Sequence, residues 1–400
     1  MKYAILIGDG MSDNPIGELG GKTPLQYAKT LNMDFIASNG VMGLFKSVPE
    51  GMPPGSDVAN LTILGYDPKK YYTGRAPLEA ASIGVKLAPG DIAFRCNLVT
   101  LRPDGKDFIM EDYSSGHITT EEASEIIKTL DKEFKSQEGF RFYPGKSYRH
   151  LMVWEGGSEK LKTTPPHDIS DRVTGPYLPS GNGAEKLVRI MERSRDILKR
   201  HPVNKRREAD GKRRADSIWL WGQGSAPTMP DFKDRFNLKG AIISAVDLMN
   251  GIGVYAGLDV IKVPGATGYI DTNYAGKADY ALRALETRDL VCVHVEAPDE
   301  AGHQGLLKDK LRAIEDFDSI VVGKVLEGIK RYGEFRVMVL TDHPTPVELK
   351  THTSDPVPFA VYGGERRAES KKLSFSEAGA KETGVLKEDP LKFMEEFLGR

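Results

Sequence analysis

Cysteine is nearly missing from this chain: Cys96 and Cys292 are the only two in 400 residues, and each sits inside an apolar, strand-like run. That argues against a disulfide framework and leads us to expect a reducing, cytoplasmic setting. An excess of charge of one sign is missing too. The 55 lysines and arginines nearly cancel the 57 aspartates and glutamates, for a formal net charge of −2. No nucleic acid and no membrane surface is therefore expected as partner. An anionic substrate would have to be met by locally clustered basic groups. No apolar run approaches the roughly 18 residues of a membrane span, and the apolar part of "MKYAILIGDG" is too short for a signal peptide. Histidine is also rare, eight in all, so its placement carries information.

What is present fits a globular protein, with 40% hydrophobic and 28% charged residues. The length exceeds one ordinary core, and two domains, one inserted in the other, are expected. The first strand reads as Tyr3 to Ile7, ending at Gly8-Asp9-Gly10. A helical stretch over about 23–38 and a strand over 41–45 come next. In "PPGSDVANLTILGYD" two prolines and a glycine precede Ser56, with apolar residues at helical spacing behind it, so Ser56 reads as the N-cap or first turn of a helix.

From about residue 86 the texture changes. "DIAFRCNLVTL", "DFIMED", "FRFYP", "LMVWE" and "SIWLW" read as strands, with helical patterns over 120–135 and 183–200. The basic segment "NKRREADGKRR" (204–214) reads as an exposed loop. After about residue 236 a strand–helix rhythm returns: a helix over 241–256, strand "DVIKV", a helix near 277–286, strand "LVCVHV", a long helix over 308–331, then strand "RVMVL". The expected fold is α/β: a doubly wound core domain, 1–85 and 236–400, interrupted by a smaller α+β domain, 86–235.

Chemistry collects after the strands of the outer segments. Asp9 ends the first strand. Asp299 and His303 come after "LVCVHV" at i,i+4 spacing, on one face if the turn is helical. Asp342 and His343 come after "RVMVL", in the segment "TDHPTPVELKTHTSDP" (341–356). Its three prolines rule out one long helix, and His352 lies within it. Taken singly, Asp9 reads as a turn residue, Ser56 as a cap, and Asp299 with His303 as a surface pair. Together, at strand ends that share one edge of a parallel sheet, they offer three aspartates, three histidines and a serine. That suffices for two metal ions, and mixed carboxylate and imidazole donors suit Mn²⁺, Zn²⁺ or Co²⁺ better than Ca²⁺. Two such ions can polarise a phosphoryl group, and the helix N-terminus behind Ser56 favours negative charge on its oxygen.

The order Asp9, Ser56, Asp299/His303, Asp342/His343, His352 resembles that of the alkaline phosphatase superfamily. With "GDGMSD", "GRAPLEAASIGV", "FRCNLVT", "VPGATGY" and "APDEAGHQG", nearly the whole chain resembles the shorter, archaeal-type branch of the cofactor-independent phosphoglycerate mutases. The resemblance implies an alkaline-phosphatase-like core and an isomerase of glycolysis and gluconeogenesis. It would interconvert 3-phosphoglycerate and 2-phosphoglycerate without bisphosphoglycerate. It implies Ser56 as the residue that becomes phosphoserine, also a metal ligand. Asp9, Asp342 and His343 would hold the ion beside it, and Asp299, His303 and His352 the other. The ions would be Mn²⁺, with Zn²⁺, Co²⁺ or Mg²⁺ as alternatives. The inserted domain would grip glycerate, with His117 and Arg149 on substrate and Lys277 near the phosphoryl group. Hinges near 86 and 235 would let the site close. "WLWGQGSAP" departs from the longer branch, which carries arginines in that region, so which of Arg206, Arg207, Arg213 and Arg214 touch substrate is left open. Two other readings stand beside this one: a metal-dependent phosphomonoesterase or phosphomutase acting on another phosphate ester, and a non-catalytic metal-dependent binding protein.

Overall fold

The computed structural model describes residues 1–364 and 373–400, with 135–138 described by backbone alone. The chain forms two compact units, Met1–Tyr72 with Thr228–Arg400, and Thr73–Pro227. The sequence reading divides the chain near 86 and 235. The helix Arg75–Ser82 falls in the second unit, where Glu79 pairs with Arg95 Nε at 3.0 Å. Residues 228–235 fall in the first, where Tyr66 donates to the Pro230 carbonyl and Phe232 N to the Ala256 carbonyl.

Among the described residues of the first unit, eight strands form one sheet. Its order is Asp259–Val260, Gly240–Ile243, Leu290–Val295, Lys2–Gly8, Phe335–Leu340, Val357–Gly363, Val41–Phe45, Leu386–Lys387. The first five run parallel. Val357–Gly363 is antiparallel to both of its neighbours. The three central strands are buried almost throughout, as continuous apolar runs in a sheet covered on both faces must be. Their register sets where the chain leaves the sheet. Gly8 pairs with Val295 and Ile7 with Leu340, so the three strands end level and the residues after them emerge along one edge.

Several elements differ from the sequence reading. "GAII" is a short buried strand next to the sheet edge, and the helix there starts only at Asp247. An apolar run of that length cannot be told from a buried helical turn by periodicity. The stretch read as one helix over 23–38 breaks between Tyr27 and Leu31. The long helix is one helical rod with a π segment, Phe317–Val322, inside it.

The second unit is built on a five-stranded antiparallel sheet around the long strand Ile92–Asp104, which pairs with Asp107–Asp112, Arg149–Trp154 and Ser217–Gly224. Helices Thr120–Glu138 and Ala184–Arg200 belong to this unit, and the core it shares includes Phe94, Ile126, Phe140, Leu187 and Trp219. The basic segment over 204–214 is only in part the exposed loop expected: most of it is exposed, but its first half is helical and Arg207 is buried. Pro202–Ala209 is a helix, and the Arg207 side chain is 2% exposed. Arg207 spends its donors on Glu122 and on the carbonyls of Ser115 and Arg213, because a buried guanidinium must be paired on every side.

Candidate active site

Asp9 leaves the strand Lys2–Gly8 through a turn that only glycine permits. Gly10 has φ of 63°, and a Cβ there would lie 2.7 Å from the Asp299 backbone and 2.6 Å from Thr345 Oγ1. The absence of that side chain lets the Asp9 turn, the Asp299 helix and the 341–356 loop close on one another. Asp299 and His303 lie on the helix Ala297–Gln304, and their i,i+4 spacing places His303 Nε2 3.4 Å from Asp299 Oδ2. Asp342 accepts from the backbone N–H of Gly10 at 3.1 Å and of His343 at 2.8 Å, and from Asn60 Nδ2 at 2.9 Å.

Ser56 is the first residue of the helix Ser56–Ile63, behind an extended Gly55. Its Oγ lies 3.1 Å from His343 Nε2 and 3.4 Å from Asp9 Oδ2. Asn60, one turn on, donates to both the Ser56 carbonyl and Asp342, which fixes the serine helix against the Asp342 loop.

The hydrogen bonds of the outer ring nitrogens fix the imidazoles' direction. His303 Nδ1 is 3.0 Å from the Lys350 carbonyl and His352 Nδ1 is 3.3 Å from the Pro54 carbonyl. A carbonyl only accepts, so both Nδ1 atoms carry the proton and both Nε2 lone pairs point inward. His343 obeys the same logic: Thr345 Oγ1 donates to Asp299 Oδ1, so it accepts from His343 Nδ1. Three Nε2 atoms therefore present lone pairs to the space that Asp9, Asp299 and Asp342 share.

Charge there is lopsided. Burial, with the nearby charges of Asp342 and Asp299, pushes the Asp9 carboxyl well above the usual range. Asp342, despite burial, is held down by His343 and His294. Asp299, also buried, is held down by its bonds to His303 and His352. The bond to Asp299 raises His303 to about 9. Three buried carboxylates in one pocket call for positive charge that the chain's own side chains only partly supply.

Whether a divalent ion fits can be judged from the donors. Asp9, Asp342 and His343 offer ligand atoms within 4.8 Å of one another, as do Asp299, His343 and His352. His303 Nε2 adds a fourth donor beside the second trio, 2.8 Å from His352 Nε2. Asp9 Oδ1 is buried with no hydrogen-bond partner. These groups suit first-row divalent cations.

Of the other residues singled out in the sequence, Lys277 is fully buried, and its Nζ donates to the His294 carbonyl at 2.9 Å. His117 and Arg149 lie in the second unit near Tyr148, the His117 ring 6.2 Å and the Arg149 guanidinium 5.5 Å from the Tyr148 ring. His117 has φ of 49°, the last of three consecutive residues in the left-handed region. Asp112 holds that turn through the N–H groups of Ser114 and Gly116. Arg213 pairs with Asp112, and Arg206 with Glu125.

The sequence reading missed three supporting residues. Thr345 links the 341–356 loop to Asp299. Lys310 is fully buried, and its ammonium binds Asp13 Oδ2 and the carbonyls of Ser12 and Thr345. His294 is the one ionisable side chain besides Cys292 in the strand Leu290–Val295. Its signal was available, since a histidine inside a fully apolar strand must find a partner. Lys310 gave none, because its helix reads as amphipathic with or without it.

Comparison with known proteins places the chain in a family. Residues 37–204 match the family model for 2,3-bisphosphoglycerate-independent phosphoglycerate mutase. A probable 2,3-bisphosphoglycerate-independent phosphoglycerate mutase of Geobacter sulfurreducens is 54% identical over 400 residues, covering 100% of both chains. One from Methanosarcina barkeri is 55% identical over 383 residues, covering 95% of each. Among solved structures, the cofactor-independent phosphoglycerate mutase of Thermoplasma acidophilum aligns with a TM-score of 0.66 at 26% identity, over 100% of this chain and 99% of that one. A Pyrococcus horikoshii protein aligns with a TM-score of 0.84 at 30% identity, over 100% and 96%. Among the described residues, no helix is long and apolar enough to cross a membrane.

Proposed function

Since the chain belongs to the 2,3-bisphosphoglycerate-independent phosphoglycerate mutases, we propose that it interconverts 3-phosphoglycerate and 2-phosphoglycerate through a phosphorylated Ser56. The observation that carries this reading is the place of Ser56 Oγ, 3.1 Å from His343 Nε2 at the start of a helix. His343 Nε2 is committed to the ion site, but the hydroxyl donates toward Asp9 Oδ2 at 3.4 Å, which can accept its proton, and the helix N-terminus favours the resulting negative charge. Ser56 Oγ forms a bond to phosphorus as the bond to the substrate oxygen breaks. Glycerate stays and turns, and the phosphoryl returns to its other oxygen.

Asp9, Asp342 and His343 with Ser56 would hold one divalent ion, and Asp299, His303 and His352 the other, with Mn²⁺ favoured. Ions bound there would supply the positive charge that phosphoryl transfer requires. Lys277 stands beside this site, and its ammonium would add charge toward a phosphoryl oxygen. The second unit would hold the glycerate part, with His117 and Arg149 as its contacts. The two buried free thiols suit a cytoplasmic enzyme.

The test is an enolase-coupled assay with 3-phosphoglycerate and Mn²⁺, without bisphosphoglycerate, with free phosphate measured in the same tube. Product without phosphate release is the expected result. Phosphate release without product would instead assign a phosphomonoesterase, and neither signal would move the substrate to another phosphate ester.

A further inference from the structure

His294 is fully buried at the next-to-last position of the strand Leu290–Val295. Its Nε2 lies 3.2 Å from Asp9 Oδ2, and its Nδ1 lies 3.3 Å from Ser244 Oγ. Ser244 Oγ already accepts from the Val246 N–H at 3.0 Å, which leaves its own proton to be donated. Given to Nδ1, that proton fixes the tautomer in which Nε2 carries hydrogen. With Asp9 ionised, as a cation ligand must be, the same choice is favoured, since an Nε2 lone pair aimed at the carboxylate would be repulsive. The backbone of His294 is tied as well, its carbonyl accepting from Lys277 Nζ.

The Nε2 contact to Asp9 is close, but it is not aligned as a hydrogen bond, and Asp9 Oδ1 has no hydrogen-bond partner, with His343 Nε2 3.4 Å from it. The carboxylate thus has one oxygen, Oδ2, within reach of His294 on the neighbouring strand and of Ser56 Oγ, and one oxygen, Oδ1, without a hydrogen bond and near His343. This is the arrangement of a ligand whose outer oxygen is steadied by the protein and whose inner oxygen is left for a cation.

We propose that Ser244 and His294 form a positioning pair for Asp9, in which Ser244 fixes the His294 tautomer and His294 orients the carboxylate toward the ion it shares with Asp342 and His343. The inference rests on the metal reading above. It sets His294 apart from the ligands His303, His343 and His352, whose Nε2 atoms carry lone pairs. His294 touches neither ion nor substrate and acts through Asp9.

The experiment is equilibrium Mn²⁺ uptake by the full-length wild type and by His294→Leu, His294→Gln and Ser244→Ala, with metal-free thermal melts alongside. Glutamine places an amide N–H near the position of Nε2, so it restores the donor without restoring an imidazole ligand. His294→Leu should weaken the Asp9 ion about 10- to 100-fold and leave the ion of Asp299, His303 and His352 unchanged. His294→Gln should recover most of that affinity, and Ser244→Ala should fall between. Equal uptake by all four chains would overturn the inference. So would equal losses in His294→Gln and His294→Leu, which would make His294 a ligand. A wild type that takes up no ion would overturn the metal reading first and this inference with it.

Discussion

The Nε2 atoms of His303 and His352 face each other at 2.8 Å, with Asp299 within 3.5 Å of both. Each ring gives its Nδ1 proton to a carbonyl, so two lone pairs meet and something positive must lie between them. Without metal, that is a proton, in keeping with the raised pKa of His303. With metal, an ion takes its place. His352→Ala should therefore lower bound Mn²⁺ from two ions per chain to one under matched free metal, measured by atomic emission after dialysis. Two ions retained would contradict the role of His352.

Metal should also carry stability. An ion at about 100 times its Kd adds about 2.7 kcal/mol per site to unfolding. Chelation should accordingly lower the melting temperature by several degrees, with recovery on adding Mn²⁺. A melt indifferent to chelator would mean that the three carboxylates are balanced without an ion.

Ser56→Ala should remove mutase activity by at least ~10³-fold, as loss of a covalent nucleophile does. Metal uptake should survive, because Asp9, Asp342 and His343 remain. Acid-stable phosphate on the wild type after incubation with substrate, absent in the variant, would mark the phosphorylated serine. Equal activity in the variant would sink the covalent route.

Lys310 and Asp13 form a fully buried pair at 2.7 Å that clamps the Asp9 turn to the 341–356 loop. Lys310→Met leaves the Asp13 carboxylate buried and unpaired, and should cost about 3–5 kcal/mol in urea unfolding. Lys310→Met with Asp13→Leu should regain much of that stability while metal affinity stays reduced, since the clamp to Ser12 and Thr345 is still gone. Full recovery of both would reduce Lys310 to a packing residue.

Burial lowers Lys277 to about 8, against Coulomb attraction from Glu296. In the unfolded chain its pKa is higher, so between about 8 and the ordinary lysine value the unfolded state holds more protons. Across that window the stability difference between wild type and Lys277→Met should rise with pH. Activity should move the opposite way, falling as pH passes about 8 and the ammonium is lost. Lys277→Arg should shift that alkaline limb upward. A limb that stays in place in the arginine variant would remove Lys277 from the reaction.

Much of the site is legible in the sequence, for one physical reason. Asp9, Asp299 and Asp342 come after runs too apolar to be anything but buried strands, and polar groups just past such runs must lie at a sheet edge. Ser56 is legible because prolines and glycine before an apolar periodicity mark a helix start. The sequence could not say which strands are neighbours. Only the register of Gly8 with Val295 and Ile7 with Leu340 brings the three aspartates level. Nor could it find the partners of buried polar groups far off in the chain. His294 meets Asp9 across 285 positions and Lys310 meets Asp13 across 297. The strand Gly240–Ile243 and the buried Arg207 were misread for the same cause, because a short apolar run and a basic run look alike whether solvent or packing surrounds them. Local pattern determined which groups could do chemistry. Long-range packing alone decided which of them share one charged site.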